Sequence, residues 1–423
     1  MDGCNPPCAS PLVKFNTLKD IIFLYLDSEI LSPLIKNDQF NMQSNRRIKK
    51  FLRTPFELEK FIFVTGLFCM DDFISCFTIL PLRLLLCIPI SMISYLKYKK
   101  LIYSFGRDIF KIINIFMVLI FLSKFEVSYI YHVVKAQNII KIYVFFNILD
   151  VIDKLFSSIG HDMNNSFFTQ SHSLRSKYFF LFRKFHYFCL ALIYNYLHSI
   201  VILLQTICLC VAVNSRSRAL LTLVISNQFL EVKGSIFKKF DSRTLFLLMC
   251  SDSRERFTFL IIMNMVILSC LIDENSTNLS TIIGDLILAF ISELLVDWLK
   301  HSFISWFNSV DSEIYSKYLS SLSSSFLFSS NVKCHQESVA QKLSFFDVPL
   351  VITLIHVILH KIDDLAIKFG KLNYLLWIII LFQVKIIIGL LCKIFAVIYY
   401  ESFPMKIENE NSLNLSDFRE KII

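Results

Sequence analysis

The chain has 423 residues, of which 55% are hydrophobic and only 18% are charged, and its mean hydropathy is +0.58. A soluble domain carries about a quarter charged residues, so the composition excludes an ordinary soluble protein and indicates a membrane protein. The net charge of +9 suits contact with anionic lipid head groups, and because the basic residues flank apolar segments, no nucleic-acid partner is expected.

The first 50 residues are polar and end in a basic run, which predicts a cytosolic and partly disordered tail. A helix start follows it. Thr54 can act as the N-cap, Pro55 suits the first helical position, and Glu57 completes a capping box. The apolar region Phe61–Leu96 would reach roughly 54 Å as one helix, whereas the hydrocarbon core is roughly 30 Å thick. A helical hairpin or a kinked span is therefore expected instead of one straight helix. Basic residues at both ends, in 46–53 and 97–100, favour the hairpin with both ends in the cytosol.

Two adjacent aspartates, Asp71 and Asp72, are the only formal charges between Phe61 and Leu80. A carboxylate at bilayer depth costs about 2.5 kcal/mol or more on insertion scales, so it faces protein or water rather than lipid. Arg83 shares their helix face at a separation of roughly 16–18 Å along a continuous helix. Arg83 can meet the aspartates only if Pro81 turns the chain or another helix intervenes.

Two further helices are predicted next. Ile109–Tyr131 is a candidate span, and Ile139–Phe156 is amphipathic. In the second, Asn147, Asp150 and Lys154 follow the spacing of one helix face, and Asp150 can pair with Lys154 one turn later. Such a helix either lies in the membrane interface or packs inside the bundle.

A strong span is predicted over Phe185–Val213, and the basic segment 214–256 behind it reads as cytosolic. Within that segment, the basic amphipathic part 226–240 can lie on anionic lipid or contact a partner protein. The alternative is a solvated helix packed against the bundle. The candidate surface consists of Glu231, Lys233, Phe237, Lys238 and Lys239.

The apolar segments Phe257–Ile272 and Leu279–Leu299 are joined by an acidic loop with glycosylation sequons at Asn275 and Asn278, which indicates a lumenal position. The second segment carries three acidic side chains within about 120° of arc. They form either an ion or proton path, or polar contacts to other helices, for instance to Lys385 or Lys393. Asp297 can also pair with Lys300 or His301 one turn later. The three acidic residues are Asp285, Glu293 and Asp297.

The rest of the chain contains a serine-rich linker near 316–344, the apolar segments Phe345–Ile362 and Leu372–Tyr400, and a polar tail at 401–423. His356 and His360 stand at i, i+4, but without a second acidic ligand they do not make the zinc-protease pattern. The sequence thus predicts an all-α fold, a polytopic transmembrane helical bundle with amphipathic interfacial helices and about six to eight membrane segments. The multi-pass domain covers 51–400.

Sequence motifs for catalysis are lacking. The chain has no GxGxxG, no Walker A loop, no GxSxG and no HExxH, and its eight glycines make phosphate-cradling loops improbable. Most of its twelve cysteines stand in apolar runs, where they act as small buried hydrophobes. We expect no enzyme activity, no metal and no cofactor.

Six segments, taken in chain order from 51–83 to 314–322, together resemble the transmembrane anterior–posterior transformation protein family. The resemblance implies a polytopic endoplasmic-reticulum (ER) protein without known enzymatic activity, an adaptor or scaffold in protein quality control that works with lumenal chaperones or SUN-domain-type membrane proteins. Animal members are linked to cilium formation and body patterning, which implies an additional ciliary basal-body association. The family offers no established catalytic residue to carry over. The segments lie, in family order, at 51–83, 139–162, 226–240, 253–257, 292–308 and 314–322.

The residues and the resemblance lead to one main hypothesis and two alternatives. The main hypothesis is a multi-pass scaffold of the ER membrane. The first alternative is a channel or transporter that uses Asp71, Asp285 and Glu293 as a polar path. The second is an intramembrane enzyme.

Overall fold

The computed structural model of the chain describes residues 38–85, 99–169, 177–214, 225, 229, 232–236, 238–272, 279–329, 339–360 and 373–402. Among these residues the secondary structure is helical and contains no strand, which confirms the predicted all-α fold. The chain divides into two compact units with the boundary after Lys50, and the second unit contains nearly all of the helical residues.

Two shorter helical stretches, 79–85 and 232–236, are left unnumbered, and eleven helices of the described chain are numbered here in chain order. They are α1 (Asp38–Phe77), α2 (Lys99–Leu122), α3 (Val127–Lys135), α4 (Ile139–Thr169), α5 (Lys177–Asn214), α6 (Ser242–Ile272), α7 (Leu279–Asn308), α8 (Glu313–Ser329), α9 (Val339–Lys342), α10 (Val348–His360) and α11 (Asn373–Ser402).

Three described helical stretches are long and apolar enough to cross a membrane: Asn45–Leu85, Phe185–Asn214 and Ile379–Glu401. They coincide with three predicted apolar segments. The other predicted segments are also helical, but α2 and α7 carry charged side chains within their apolar runs, and α10 has only 13 residues. Length and composition therefore give fewer spans in the described chain than the sequence predicts.

Helix α5 is the centre of the bundle. It packs against α2, α3, α4, α6 and α10. Its inward positions are filled by closely packed apolar side chains, among them Ile202, Leu203 and Leu209. Because lipid tails are as apolar as leucine, van der Waals packing and polar contacts between helices, rather than hydrophobic burial, hold such a bundle together.

Helix α4 is amphipathic with its polar side turned towards the protein. Asn147, Asp150 and Lys154 are partly buried, whereas Ile148 and Leu155 are exposed. This arrangement is the reverse of a soluble amphipathic helix and fits a helix whose outer face touches lipid. The predicted pair exists, with Lys154 Nζ at 3.4 Å from Asp150 Oδ2, and Lys154 also lies 3.2 Å from Glu255 of α6.

The predicted helix start at Thr54 is wrong. Helix α1 already begins at Asp38 and carries Pro55 in its interior, so Thr54 is an ordinary helical residue and is fully buried. Proline lacks an N–H, which leaves the Phe51 carbonyl without its helical donor. The Ser302 hydroxyl of α7 donates to that carbonyl at 3.3 Å. A hydrogen bond from α7 therefore satisfies the Phe51 carbonyl inside the continuous helix.

Glu57 does not close a capping box either. Its side chain is buried and accepts hydrogen bonds from Arg53 Nε at 3.2 Å and from the Ser316 hydroxyl of α8 at 2.9 Å. A capping glutamate requires free N–H groups one turn earlier, and the upstream turns of α1 have already used them.

The predicted serine-rich linker is instead a helix over most of its described length. Helix α8 covers Glu313–Ser329 because Tyr315, Leu319 and Leu322 recur at helical spacing and are buried. Serine side chains inside a helix bond to their own backbone one turn earlier, as Ser324 does to the Ser321 carbonyl at 2.8 Å.

The predicted hairpin of Phe61–Leu96 lies only partly within the described residues. The chain is helical up to Leu85 apart from a turn at Thr78, so it does not reverse direction at Pro81. The second arm of the hairpin, 86–96, lies outside the described residues, as do the sequons at Asn275 and Asn278.

At Gly160, helix α4 lies tightly against a side chain of α5. A Cβ atom added there would lie 2.5 Å from Tyr194 Oη and 3.2 Å from Phe346 Cβ. The tyrosine hydroxyl cannot move freely, because it donates to the Phe156 carbonyl at 2.8 Å and bonds to His198 Nδ1 at 3.1 Å.

We expect Gly160→Ala to lower the melting temperature of the purified protein in detergent. The overpacking costs about 1–3 kcal/mol, which exceeds the gain of about 1 kcal/mol from alanine's helix propensity. Gly66→Ala is the matched control, since nothing lies within 4 Å of its added Cβ. It should leave the melting temperature unchanged or raise it, and equal effects of the two variants would contradict the packing argument.

Candidate functional site

Six charged or titratable side chains from α1, α6 and α7 form one connected group, here called the polar core. All except the α1 carboxylate are nearly completely buried. The members are Glu59, Asp252, Arg256, Asp297, Lys300 and His301.

The centre of the polar core is a double ion pair between α6 and α7. Arg256 Nε donates to Asp297 Oδ2 at 2.7 Å, and Lys300 Nζ donates to Asp252 Oδ1 at 2.8 Å. Lys300 also lies 3.1 Å from Asp297 on its own helix. Asp252 and Arg256 stand one turn apart on α6, as do Asp297 and Lys300 on α7, so one face of each helix presents both signs of charge.

Two further helices join this double pair. Glu59 of α1 accepts hydrogen bonds from Arg256 Nη1 and from Trp298 Nε1, both at 2.6 Å. His301 Nε2 lies 2.7 Å from Asp252 Oδ2, and its Nδ1 lies 3.1 Å from Tyr315 Oη of α8. The polar core thus connects α1, α6, α7 and α8.

The proton positions follow from the donor inventory. Asp252 as a carboxylate can only accept, so His301 Nε2 carries a hydrogen, and in the neutral ring Nδ1 accepts from Tyr315. Burial raises the pKa of Asp252, but the Lys300 charge and the His301 hydrogen bond outweigh it and lower the pKa below its ordinary value. The stability from this carboxylate is therefore present above roughly pH 4 and is lost as the pH falls below that.

The charges of the polar core are paired with one another and hold the helices together. Three carboxylates face one guanidinium, one ammonium and one imidazole, so the charges nearly cancel whichever form His301 takes. His301 is fully buried and Lys300 almost so. A substrate cannot reach these groups without separation of the helices, whereas breaking any pair leaves an unpaired buried charge, which is costly.

Asp71 and Lys385 form a second polar contact between α1 and α11. Lys385 Nζ lies 2.5 Å from Asp71 Oδ1 and donates to the Asp71 carbonyl at 2.6 Å. The sequence offered Lys385 as a partner for the acidic residues of α7, but its partner is on α1. Asp72 is half-buried, and its carbonyl accepts a hydrogen bond from Ser75 Oγ at 2.6 Å.

Arg83, which follows the turn after α1, pairs with α2 rather than with the two aspartates of α1. Its Nη1 lies 3.8 Å from Asp108 Oδ2, and its side chain is largely exposed. Of the predicted acidic stripe on α7, Asp297 belongs to the polar core, while Asp285 and Glu293 are half-buried nearer to the start of the helix.

Part of the predicted basic surface lies within the described residues. Lys233, Lys238 and Lys239 are exposed, whereas Glu231 and Phe237 lie outside the described residues.

The histidine pair of α10 is divided. His356 is buried and His360 is exposed, and the described residues contain no group of three or more histidine, cysteine or acidic side chains that could hold a metal ion.

Sequence reasoning missed Glu59, Asp252 and Arg256. The signal for the last two was present, because they stand at i, i+4 directly before the apolar run Phe257–Ile272. They were assigned to a solvated cytosolic segment. A buried role would have followed from matching their charge order against Asp297 and Lys300 on the next helix.

Comparison with known proteins supports a single assignment. The model of the family described as "Eukaryotic membrane protein family", DUF747, matches residues 103–408. The "Protein TAPT1 homolog" of Dictyostelium discoideum is 35% identical over 80% of this chain and 43% of its own length. The "Transmembrane anterior posterior transformation protein 1 homolog" of Homo sapiens is 33% identical over 77% of this chain and 59% of its own length.

A third relative, the "Protein TAPT1 homolog" of Caenorhabditis elegans, is 33% identical over 77% of this chain and 46% of its own length. The chain spans about half the length of the curated relatives it matches. No solved structure matches it significantly. The family match over most of the chain confirms the resemblance noted in the sequence, and the chain belongs to the eukaryotic membrane protein family DUF747, which includes the transmembrane anterior posterior transformation proteins.

Proposed function

We propose that the chain is a multi-pass scaffold of the ER membrane that serves as an adaptor in protein quality control and performs no catalysis. The observation that carries this proposal is the polar core, in which the buried charges of α6 and α7 pair with one another and Glu59 of α1 pairs with Arg256. Such mutual pairing fixes the helices in one arrangement. A fixed arrangement is what a scaffold needs in order to present constant surfaces to its partners.

The location and the partners of the scaffold are part of the same proposal. The resemblance to the transformation-protein family favours the ER membrane, with an additional association with the ciliary basal body in ciliated cells. It also favours a SUN-domain-type membrane protein, a lumenal chaperone, or both, as partners. Crosslinking of the tagged chain in its native membrane, followed by mass spectrometry, tests this. Crosslinks to one of these two classes support the adaptor role, and their absence contradicts it.

A channel or transporter is the second candidate. It is favoured by the two half-buried carboxylates Asp285 and Glu293, which lie on the same helix. Against it stands the close pairing of Asp71 with Lys385, because a neutralised carboxylate no longer offers the path a free charge.

The double variant Asp285→Asn/Glu293→Gln separates the two candidates. If the chain is a scaffold, vesicles reconstituted with either protein should show the same low ion flux. If it is a transporter, the purified unmodified chain should conduct ions without partners, and the double variant should abolish that flux. The control is Glu126→Gln, which removes an exposed carboxylate beside α3 and should leave the ion flux unchanged.

A further inference from the structure

Exposed lysines and exposed aromatic rings meet beside the end of α7. Lys238 and Lys239, in the segment before α6, are exposed, and so are Trp306 and Phe307 in the last turn of α7. Asn308 joins the two segments. Its side-chain amide N–H donates to the Lys238 carbonyl at 3.3 Å, and its Oδ1 accepts from the Phe240 N–H at 3.1 Å. The lysines and the rings are thus held side by side.

Helix α1 extends the same surface. The Phe51 ring packs edge-on against the rings of Trp306 and Phe303, with centroid distances of 6.0 and 5.4 Å. Next to Phe51, Leu52 is 61% exposed and the Arg53 side chain is 60% exposed. We call this surface the aromatic–basic rim, and it consists of Leu52, Arg53, Lys238, Lys239, Trp306 and Phe307.

The sequence around the rim is typical of a region that lies near the lipid head groups. Each of its three segments flanks an apolar run: 51–53 precede the run from Phe61, 238–239 precede α6, and 306–307 follow the run Leu279–Leu299. Tryptophan concentrates at the membrane–water interface, and lysine and arginine concentrate on its cytosolic side. Three chain segments from distant parts of the sequence together supply the basic and the aromatic side chains that are typical of this interface.

We propose that the aromatic–basic rim binds the head groups of anionic phospholipids. The lysine and arginine cations meet the phosphate and carboxylate groups of the head group, while Leu52 and the two rings lie against the start of the acyl chains. Each basic residue close to an anionic surface strengthens the attraction by about five-fold. The exposed leucine and rings favour a lipid over a soluble acidic peptide, because they stand next to apolar runs whose outer faces meet acyl chains. This lipid preference does not require that the chain bind any protein.

Quenching of Trp306 fluorescence tests the proposal. The full chain is reconstituted in phosphatidylcholine vesicles that contain either brominated phosphatidylserine or the same amount of brominated phosphatidylcholine. Because the chain has three tryptophans, the same measurement is made on Trp306→Phe. The difference in quenching between the two proteins is the contribution of Trp306. We expect the serine lipid to quench more strongly than the choline lipid. The preference should fall about five-fold for each of Lys238→Gln and Lys239→Gln.

Two controls test whether the lipid preference is electrostatic and whether it belongs to the aromatic–basic rim. Lys141→Gln removes an exposed lysine from α4 and should leave the preference unchanged. The second control measures the lipid preference of the unaltered chain at about 0.1 M and at about 1 M salt. The Debye length falls from about 10 Å to about 3 Å over this range, so the salt should abolish an electrostatic preference for the serine lipid. Equal quenching by the two lipids at low salt, or a preference that survives both lysine substitutions and high salt, would overturn the proposal.

Discussion

Arg256→Met is expected to lower the free energy of unfolding by about 3–5 kcal/mol, because it strands Asp297 as a buried charge without its main partner. The side chains of Arg256 and Asp297 are only 4% and 3% exposed, so water cannot replace the lost guanidinium. Lys300 still lies 3.1 Å from Asp297 in this variant, but Glu59 loses the Arg256 cation with which it pairs. The methionine fills a similar volume, so the loss reports the charge rather than a cavity.

Thermal unfolding of the purified protein in detergent measures this loss. Arg256→Lys should give an intermediate loss of stability. An ammonium keeps the positive charge but lacks the planar fork with which the guanidinium bonds to Asp297 and Glu59 at the same time. Arg256→Met/Asp297→Leu should recover part of the stability, because no acidic group of the pair is left behind.

The comparison variant is Arg83→Met. Its ion pair with Asp108 is 3.8 Å long and 59% exposed on the arginine side, so its removal should cost about 1 kcal/mol or less. If Arg256→Met were no more harmful than Arg83→Met, the polar core would not be what holds α6 and α7 together.

The helical membrane fold was predictable because it depends on composition along single segments. Long apolar runs such as Phe185–Val213 specify helices whatever their neighbours are, since a lipid environment leaves backbone groups no other partner. The ends of those helices were less predictable. Thr54, Pro55 and Glu57 make a complete local start signal, yet the helix runs through them because Ser302 of another helix serves the carbonyl that proline leaves free.

The polar contacts were only half predictable for a related reason. Helix periodicity shows which charged residues share a face, and it correctly places Asp297 within reach of Lys300. Periodicity says nothing about which helices are neighbours. The partner of Lys385 therefore could not be chosen between Asp71 of α1 and the acidic residues of α7, because that choice depends on how the helices pack.

Lys385→Met is expected to loosen α11 from α1. Lys385 is the one buried cation on the described part of α11, and its pair with Asp71 lies within two membrane-spanning stretches, where water is scarce. An aspartate left alone there either stays charged at high cost or takes up a proton. In both cases the ion-pair attraction between the two helices disappears, and the expected loss is about 3 kcal/mol.

Cys392 reports this loosening directly. Its thiol is fully buried between α11 and α1 and donates to the Leu67 carbonyl at 3.5 Å. About 3 kcal/mol of lost docking energy corresponds to about a 100-fold rise in the open population, and hence in the rate at which a membrane-permeant maleimide labels this cysteine. Mass spectrometry of the peptide containing Cys392 measures the rate separately from those of the other cysteines.

Lys393→Met is the matched control on the same helix. Lys393 is exposed, so its removal leaves the contact with α1 intact and should not change the labelling of Cys392. In Asp71→Leu/Lys385→Met both members of the pair are apolar, and labelling should return towards the slow rate of the unaltered chain. Slow labelling in Lys385→Met itself would show that packing along Cys392 and Ala396, rather than the ion pair, holds α11 in place.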